Sequence, residues 1–192
     1  MNLYDDGNVE LGSTGSYVET SGNAVTESEQ EAMTITLWFK HPDNTSTDSI
    51  INICADDAAQ ISVETNGNGR IRWTYEKSGF GGEKRYKTAT GLWSSDKWTF
   101  LALQFDTDIG ADANRVKCYI GDENNVPSLK STDGIQSGTV TSGLKDNTTR
   151  IGHQETNGKA FIGQIDEVMI YNRVLTTDEI DRNHKAGKRS HR

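Results

Sequence analysis

The stretch Ala160–Asn172, A-F-I-G-Q-I-D-E-V-M-I-Y-N, followed by R-V-L-T-T-D-E-I over Arg173–Ile180, decides how this chain folds. It predicts one long strand that runs directly into a short capped helix. Val168 and Ile170 alternate with Met169 and Tyr171, so the first pair faces a core, while Ile165 is out of phase with them. Burying Ile165, Val168 and Ile170 together requires an extra residue to be absorbed at Asp166-Glu167. A β-bulge does this, and bulges re-aim side chains at the rims of sheets. Asp166 is therefore the first site candidate. The helix start is equally explicit: Thr176 as N-cap with Glu179 three residues on makes a capping box, and Leu175 and Ile180 form the hydrophobic staple.

Working outward, the rest of the chain reads as strands and turns. Val9–Leu11 and Tyr17–Glu19 are short strands joined through Gly12–Ser16. Met33–Lys40 alternates, with Ile35, Leu37 and Phe39 inward and Thr34, Thr36 and Trp38 on the other face, where Trp38 serves as cover. Ser49–Ala55 and Gln60–Glu64 are joined through Asp56-Asp57. The Asn66-Gly67-Asn68-Gly69 turn then leads into Arg70–Tyr75, with Ile71, Trp73 and Tyr75 on the core face. Lys97–Phe105 is apolar on both faces, which belongs to the middle of a covered sheet. Asn114–Gly121 returns antiparallel to it with Lys117 and Tyr119 facing away from the core. Gly121–Asn147 is polar, with two weak strands, and Thr149–Gly152 leads back to the closing strand.

Phe161–Ile180 resembles the closing segment of laminin-G-like domains in the concanavalin A-like lectin/glucanase superfamily. Val9–Glu19, Met33–Lys40 and Lys97–Ile120 are similar to earlier segments of the same domains, in the same order. The resemblance implies an all-β fold, a two-sheet antiparallel jelly-roll β-sandwich with a short C-terminal helix, over residues 1–181, leaving 182–192 as a basic tail. It implies the fold more firmly than a ligand, because this architecture carries lectins, hydrolases, adhesins and structural proteins alike.

Composition fits such a domain and narrows the partners. The 192 residues include 19 glycines and only 2 prolines, with many short Thr/Ile/Val/Trp/Tyr runs that favour strands. Net charge is -8, unevenly spread: Arg182, Lys185, Lys188, Arg189 and Arg192 make the last eleven residues basic, leaving 15 basic and 28 acidic residues before them. An acidic body argues against nucleic acid as partner. The tail either docks on an acidic surface, such as a neighbouring subunit, or is a solvated end. No apolar run is long enough for membrane insertion, and Met1–Asp6 does not read as a signal peptide. Localisation at a virion surface or in extracellular display is the expectation. Cys118 is in phase with Val116 and Ile120, as a buried free thiol would be, and the scattered histidines give no zinc spacing.

Chemistry is sparse. Jelly-roll glycosidases of this superfamily carry an E-x-D-x-E strand, and the nearest stretch here, Gln164–Val168, lacks both glutamates of that pattern. Asp166 and Glu167 are adjacent and point to opposite faces unless the strand is distorted. No G-x-S-x-G or H-E-x-x-H motif occurs. The expectation is a non-catalytic recognition or adhesion module that binds a glycan or another cell-surface ligand through rim loops, with Phe80, Tyr86 and Trp93 as the ligand-binding candidates. The competing reading of these three is aromatics packed as lids on the core. Asp166 is the metal candidate, for Ca2+, with Asp5, Asp6, Asp56 or Asp57 as partners. The resemblance also associates calcium with an acidic residue before the first tyrosine, where this chain has Ser16. The rival function is a structural virion protein, a capsid decoration or fibre subunit displaying a lectin-like domain, with other subunits of a particle or a homo-oligomer as partners.

Overall fold

The structure, a computed structural model, describes residues 2–3, 9–11, 16–20, 32–53, 59–77, 84–106, 116–133, 149–154 and 159–191. Its elements are β1 (Asn2–Leu3), β2 (Val9–Leu11), β3 (Val18–Glu19), β4 (Ala32–Lys40), β5 (Ser49–Ile53), β6 (Ala59–Asn66), β7 (Arg70–Lys77) and β8 (Lys84–Thr88). They continue with β9 (Thr99–Asp106), β10 (Val116–Asp122), β11 (Ser128–Lys130), β12 (Thr132–Asp133), β13 (Thr149–Ile151), β14 (His153–Gln154), β15 (Lys159–Ala160), β16 (Gly163–Tyr171) and α1 (Thr177–Gly187). Among the described residues these make two seven-stranded antiparallel sheets. One has the order β1-β2-β16-β4-β9-β10-β11 and the other β12-β8-β7-β6-β5-β13-β3, with β14 and β15 as a separate hairpin. Hairpin neighbours alternate with strands distant in sequence, such as β2-β16, β16-β4, β5-β13 and β13-β3, the pattern of the expected jelly roll.

The alternation in β4 explains the core. Ile35, Leu37 and Phe39 enter the space between the sheets and meet Ile51, Val63, Ile71, Trp73 and Leu101 there. The opposite face of β4 is equally buried, because α1 lies across it: Trp38, Phe100, Ala102 and Tyr119 form a second cluster with Leu175 and Ile180. This accounts for the two-faced apolar pattern of β9, which pairs with β4 on one side and β10 on the other. Cys118 lies in the first cluster as a free thiol, and burial pushes its pKa up to about 12, so it stays protonated and unreactive.

The closing strand folds as its phase demands. Register runs from Asp166↔Trp38 to Met169↔Thr36, so Glu167 and Val168 together oppose Leu37, and Glu167 takes φ 52° to absorb the extra residue. Ile165 is fully buried, while Val168 and Ile170 pack partly buried against the same core. The capping box forms, with the Thr176 hydroxyl accepting from the Glu179 N–H and the Glu179 carboxylate accepting from the Thr176 N–H. The Arg173 guanidinium, bonded to that carboxylate, and the Thr176 N–H hold its pKa at about 2, so the cap stays charged at any ordinary pH. Leu175 and Ile180 are both buried, each stabilising the helix by about 1.5–3 kcal/mol. Thr34 Oγ1 donates to the Arg173 carbonyl (2.7 Å) and accepts from Leu175 N–H (3.1 Å), tying the helix entry to β4.

The opening strands β2 and β3 lie in different sheets: β2 joins β16 in one and β3 joins β13 in the other. The basic segment 182–192 does not begin as a separate tail. Residues 182–187 complete α1, and the chain then turns so that His191 is buried. Ile180, His184 and Gly187 continue one buried helical stripe. Gly187 is required there, since a Cβ at this position would lie 2.4 Å from Trp38 Nε1.

Candidate functional site

The rim at the start of β9 carries a groove of about 340 Å³. One wall is the loop between β8 and β9, contributing Leu92, Trp93, Ser94, Lys97 and Trp98; the other is the turn after β10, Asp122–Asn124. Each wall is fixed by its local chemistry. In the first, Gly91 and Leu92 N–H groups donate to the carbonyls of Asn68 (2.8 Å) and Gly69 (2.9 Å), Asp96 N–H donates to the His41 carbonyl (2.9 Å), and the Trp93 indole N–H donates to the Arg70 carbonyl (3.0 Å). In the second, the Asp122 carboxylate accepts from the N–H groups of Asn124 and Asn125, each at 2.7 Å, and from the Asn125 amide at 2.9 Å. Burial opposes the charge on Asp122, but those hydrogen bonds outweigh it and hold its pKa below the usual carboxylate value. The groove thus offers a fixed carboxylate, the carboxyl of Glu123, the Lys97 ammonium, an amide and a hydroxyl beside two indoles.

Of the aromatic candidates among the described residues, Trp93 borders this groove. It is 4% exposed and packs edge-on against Phe39 at 5.4 Å, so it shows the groove a margin of the ring rather than an open face. Tyr86 is 5% exposed, shares its face of β8 with buried Thr88 and stacks on Trp73 at 5.8 Å; it has the position of a lid on the core and is not among the groove-lining residues. Phe80 lies outside the described residues. Trp98, Lys97, Asp122, Glu123 and Asn124 were not singled out by the sequence. The available signal was the polar D-E-N-N turn directly after an apolar strand, and a tryptophan one residue before the next strand begins.

Asp166 sits at the bulge. Oδ1 accepts from the Glu167 N–H at 2.7 Å, and Oδ2 faces His191 Nε2 at 3.6 Å. Asp5, Asp6, Asp56 and Asp57 lie outside the described residues, and among the described residues no three His, Cys, Asp or Glu side chains stand together as a metal site. A cation held at Asp166 would raise the unfolding midpoint in calcium over that in excess chelator at matched ionic strength, and Asp166→Ala would abolish the rise.

A Ser-His-Asp grouping also occurs nearby, and its hydrogen bonding rules out a relay. The Asp43 N–H donates to His41 Nδ1 (3.0 Å), so Nε2 carries the hydrogen and donates to Asp48 Oδ2 (2.7 Å). Ser46 Oγ donates to the same Asp48 oxygen (2.8 Å). A relay needs the carboxylate on one ring nitrogen and the serine proton on the other. This buried histidine instead braces the 41–48 loop.

The fold and the sequence match define the class. Residues 12–181 match a laminin G family model described as the Concanavalin A-like lectin/glucanases superfamily, and the chain belongs to that superfamily. Its structure is similar to that of a native heptameric SAP-like pentraxin from Limulus polyphemus, with TM-score 0.60 and 12% identity, covering 91% of this chain and 79% of that one. It is also similar to the binding domain of botulinum neurotoxin serotype G, with TM-score 0.60 and 16% identity; the match covers 95% of this chain but only 47% of the toxin chain. At such identities the likeness is one of fold. Comparison with curated proteins gives no match. No helix among the described residues is long and apolar enough to cross a membrane.

Proposed function

We propose that this chain is a non-catalytic recognition module that binds a glycan in the groove between the 91–98 loop and the 122–124 turn. The observation that carries the reading is the composition of that groove: indole margins from Trp93 and Trp98 beside a carboxylate, an ammonium and an amide on walls already fixed by hydrogen bonds. Sugar rings present apolar C–H faces and directed hydroxyls, and they are held by such pairings of aromatic and bifunctional polar groups. A volume of about 340 Å³ is at the lower end of small-molecule sites. Walls that need no reordering reduce the entropic cost of binding.

The same groups argue against hydrolysis. A glycosidase general acid needs its pKa raised so that it holds a proton at working pH. Asp122 is shifted the other way and is occupied by three donors. An array of neutral and acidic oligosaccharides, probed at high protein concentration, tests the proposal. Binding to at least one oligosaccharide is expected, weakened about tenfold or more when Lys97→Ala and Asn124→Ala are combined, since each removes a directed polar contact. Absence of binding across the array, or binding indifferent to both changes, would overturn it.

A further inference from the structure

The groove depends on residues beyond the span that matches the family. The match ends at residue 181, yet α1 continues to Gly187 and the chain then turns back, with Ser190 N–H donating to the Gly187 carbonyl at 2.9 Å. Two buried histidines of this extension touch the groove from behind, one at each wall. His184, 1% exposed, places Nε2 at 2.8 Å from the Asp122 carbonyl. A carbonyl only accepts, so Nε2 carries the hydrogen and donates to the backbone of the turn that forms the acidic wall. The His184 ring is stacked on Trp38 at 5.2 Å and meets Phe100 edge-on at 5.3 Å, which fixes its direction. His191, 4% exposed, lies with its ring centroid 4.0 Å from that of Trp98, the indole of the other wall, and 4.8 Å from that of Trp38. Its Nε2 faces Asp166 Oδ2 at 3.6 Å.

We infer that His184 and His191 are positioning residues for the groove: His184 sets the height of the Asp122–Asn124 turn, and His191 backs the Trp98 indole so that its free margin stays turned into the groove. The extension is thus a built part of the site, and a domain ending at residue 181 has the fold without the finished groove. The bulge takes part as well. By re-aiming Asp166 it brings a carboxylate beside His191, giving that carboxylate a role in seating the C-terminal segment. The histidines stand behind the walls, so they act on a ligand only through Trp98 and Asp122.

As a statement about binding, this rests on the glycan reading of the groove; as a statement about geometry, it does not. The test therefore reads both, on the full chain, with His191→Ala, His191→Phe, His184→Phe and His184→Gln. The first readout is the 15N–1H indole resonance of Trp98, with that of Trp73 as internal control. The second is hydrogen exchange of residues 122–125. The third is the Kd for whichever array oligosaccharide the unaltered protein binds. His191→Ala is expected to move the Trp98 resonance while leaving Trp73 in place, and to weaken binding at least fivefold. His191→Phe, which restores an aromatic ring behind Trp98, should recover most of both. His184→Phe should speed exchange in the turn, and His184→Gln, which restores a donor, should slow it again. Should His191→Ala fail to fold, His191→Leu carries the same comparison. Unmoved Trp98 and unaltered exchange in the folded variants would overturn the inference. So would weaker binding with both unmoved. If the unaltered protein binds no oligosaccharide, the glycan reading fails alone, and the first two readouts still decide the positioning.

Discussion

Gly163→Ala is expected to lower the unfolding midpoint by roughly 6–12 °C, the counterpart of about 3 kcal/mol in a domain of this size. The reason is local and steric. Gly163 opens β16 at φ 146°, a backbone conformation that residues with a side chain rarely adopt. A Cβ built there would lie 2.2 Å from the Lys40 carbonyl oxygen and 3.0 Å from the Phe161 ring. The obstruction is backbone, so it cannot swing aside as a flexible side chain would. Relief requires β16 to separate from β4 at the point where Gln164 pairs with Lys40, and β16 also carries β2 on its other edge. The loss should therefore appear as a cooperative drop in stability by circular dichroism, and a midpoint within 2 °C of the unaltered protein would contradict this account of the closing strand.

Trp38→Ala should cost about 3–5 kcal/mol. Trp38 is fully buried on the outer face of β4, T-shaped to Phe100 at 5.5 Å and in ring contact with both His184 and His191. Removing it leaves a cavity under α1 that the two sheets, held by their own hydrogen bonds, cannot collapse to fill. Trp38→Phe sharpens the prediction. Among the described residues the buried Trp38 indole N–H has no hydrogen-bond partner, so phenylalanine forfeits volume but no hydrogen bond seen there. The expected cost falls to about 1–2 kcal/mol. Equal losses for the two variants, read from denaturant midpoints at unchanged m-value, would mean that the cluster beneath α1 does not hold the helix as described.

What could be read from the sequence was what local physics determines. The phase break between Ile165 and Val168 required the bulge, and the T-T-D-E run required the helix start, because both are properties of a few consecutive residues. The two-faced β9 likewise announced a covered sheet. Tyr86 was placed in a loop because charged residues surround it, yet Tyr86 and Thr88 keep a strand's two-residue period and both are buried. Basic charge hid the C-terminal extension in the same way. The buried stripe Ile180, His184 and Gly187 has helical spacing, but histidine and glycine carry little hydrophobic signal. The groove was least legible. Its walls lie some thirty residues apart and meet only because Thr99 pairs with Asp122, which brings Trp98 and Glu123 to the same rim. The two-residue spacing of Trp98 and Phe100 describes a core residue, and no local rule says that β9 starts at Thr99, one residue later, and leaves the indole at the edge.

The glycan groove is the central claim, and indole resonances test it most directly. The chain has four tryptophans in distinct places: Trp93 and Trp98 at the groove, Trp73 between the sheets and Trp38 beneath the helix. Titrating the uniformly 15N-labelled protein with an oligosaccharide selected on the array should shift the Trp98 and Trp93 cross-peaks in a saturable, concentration-dependent way and leave Trp73 unmoved. Saturable binding that leaves Trp93 and Trp98 in place, with shifts confined to the other sheet, would contradict the groove as the site.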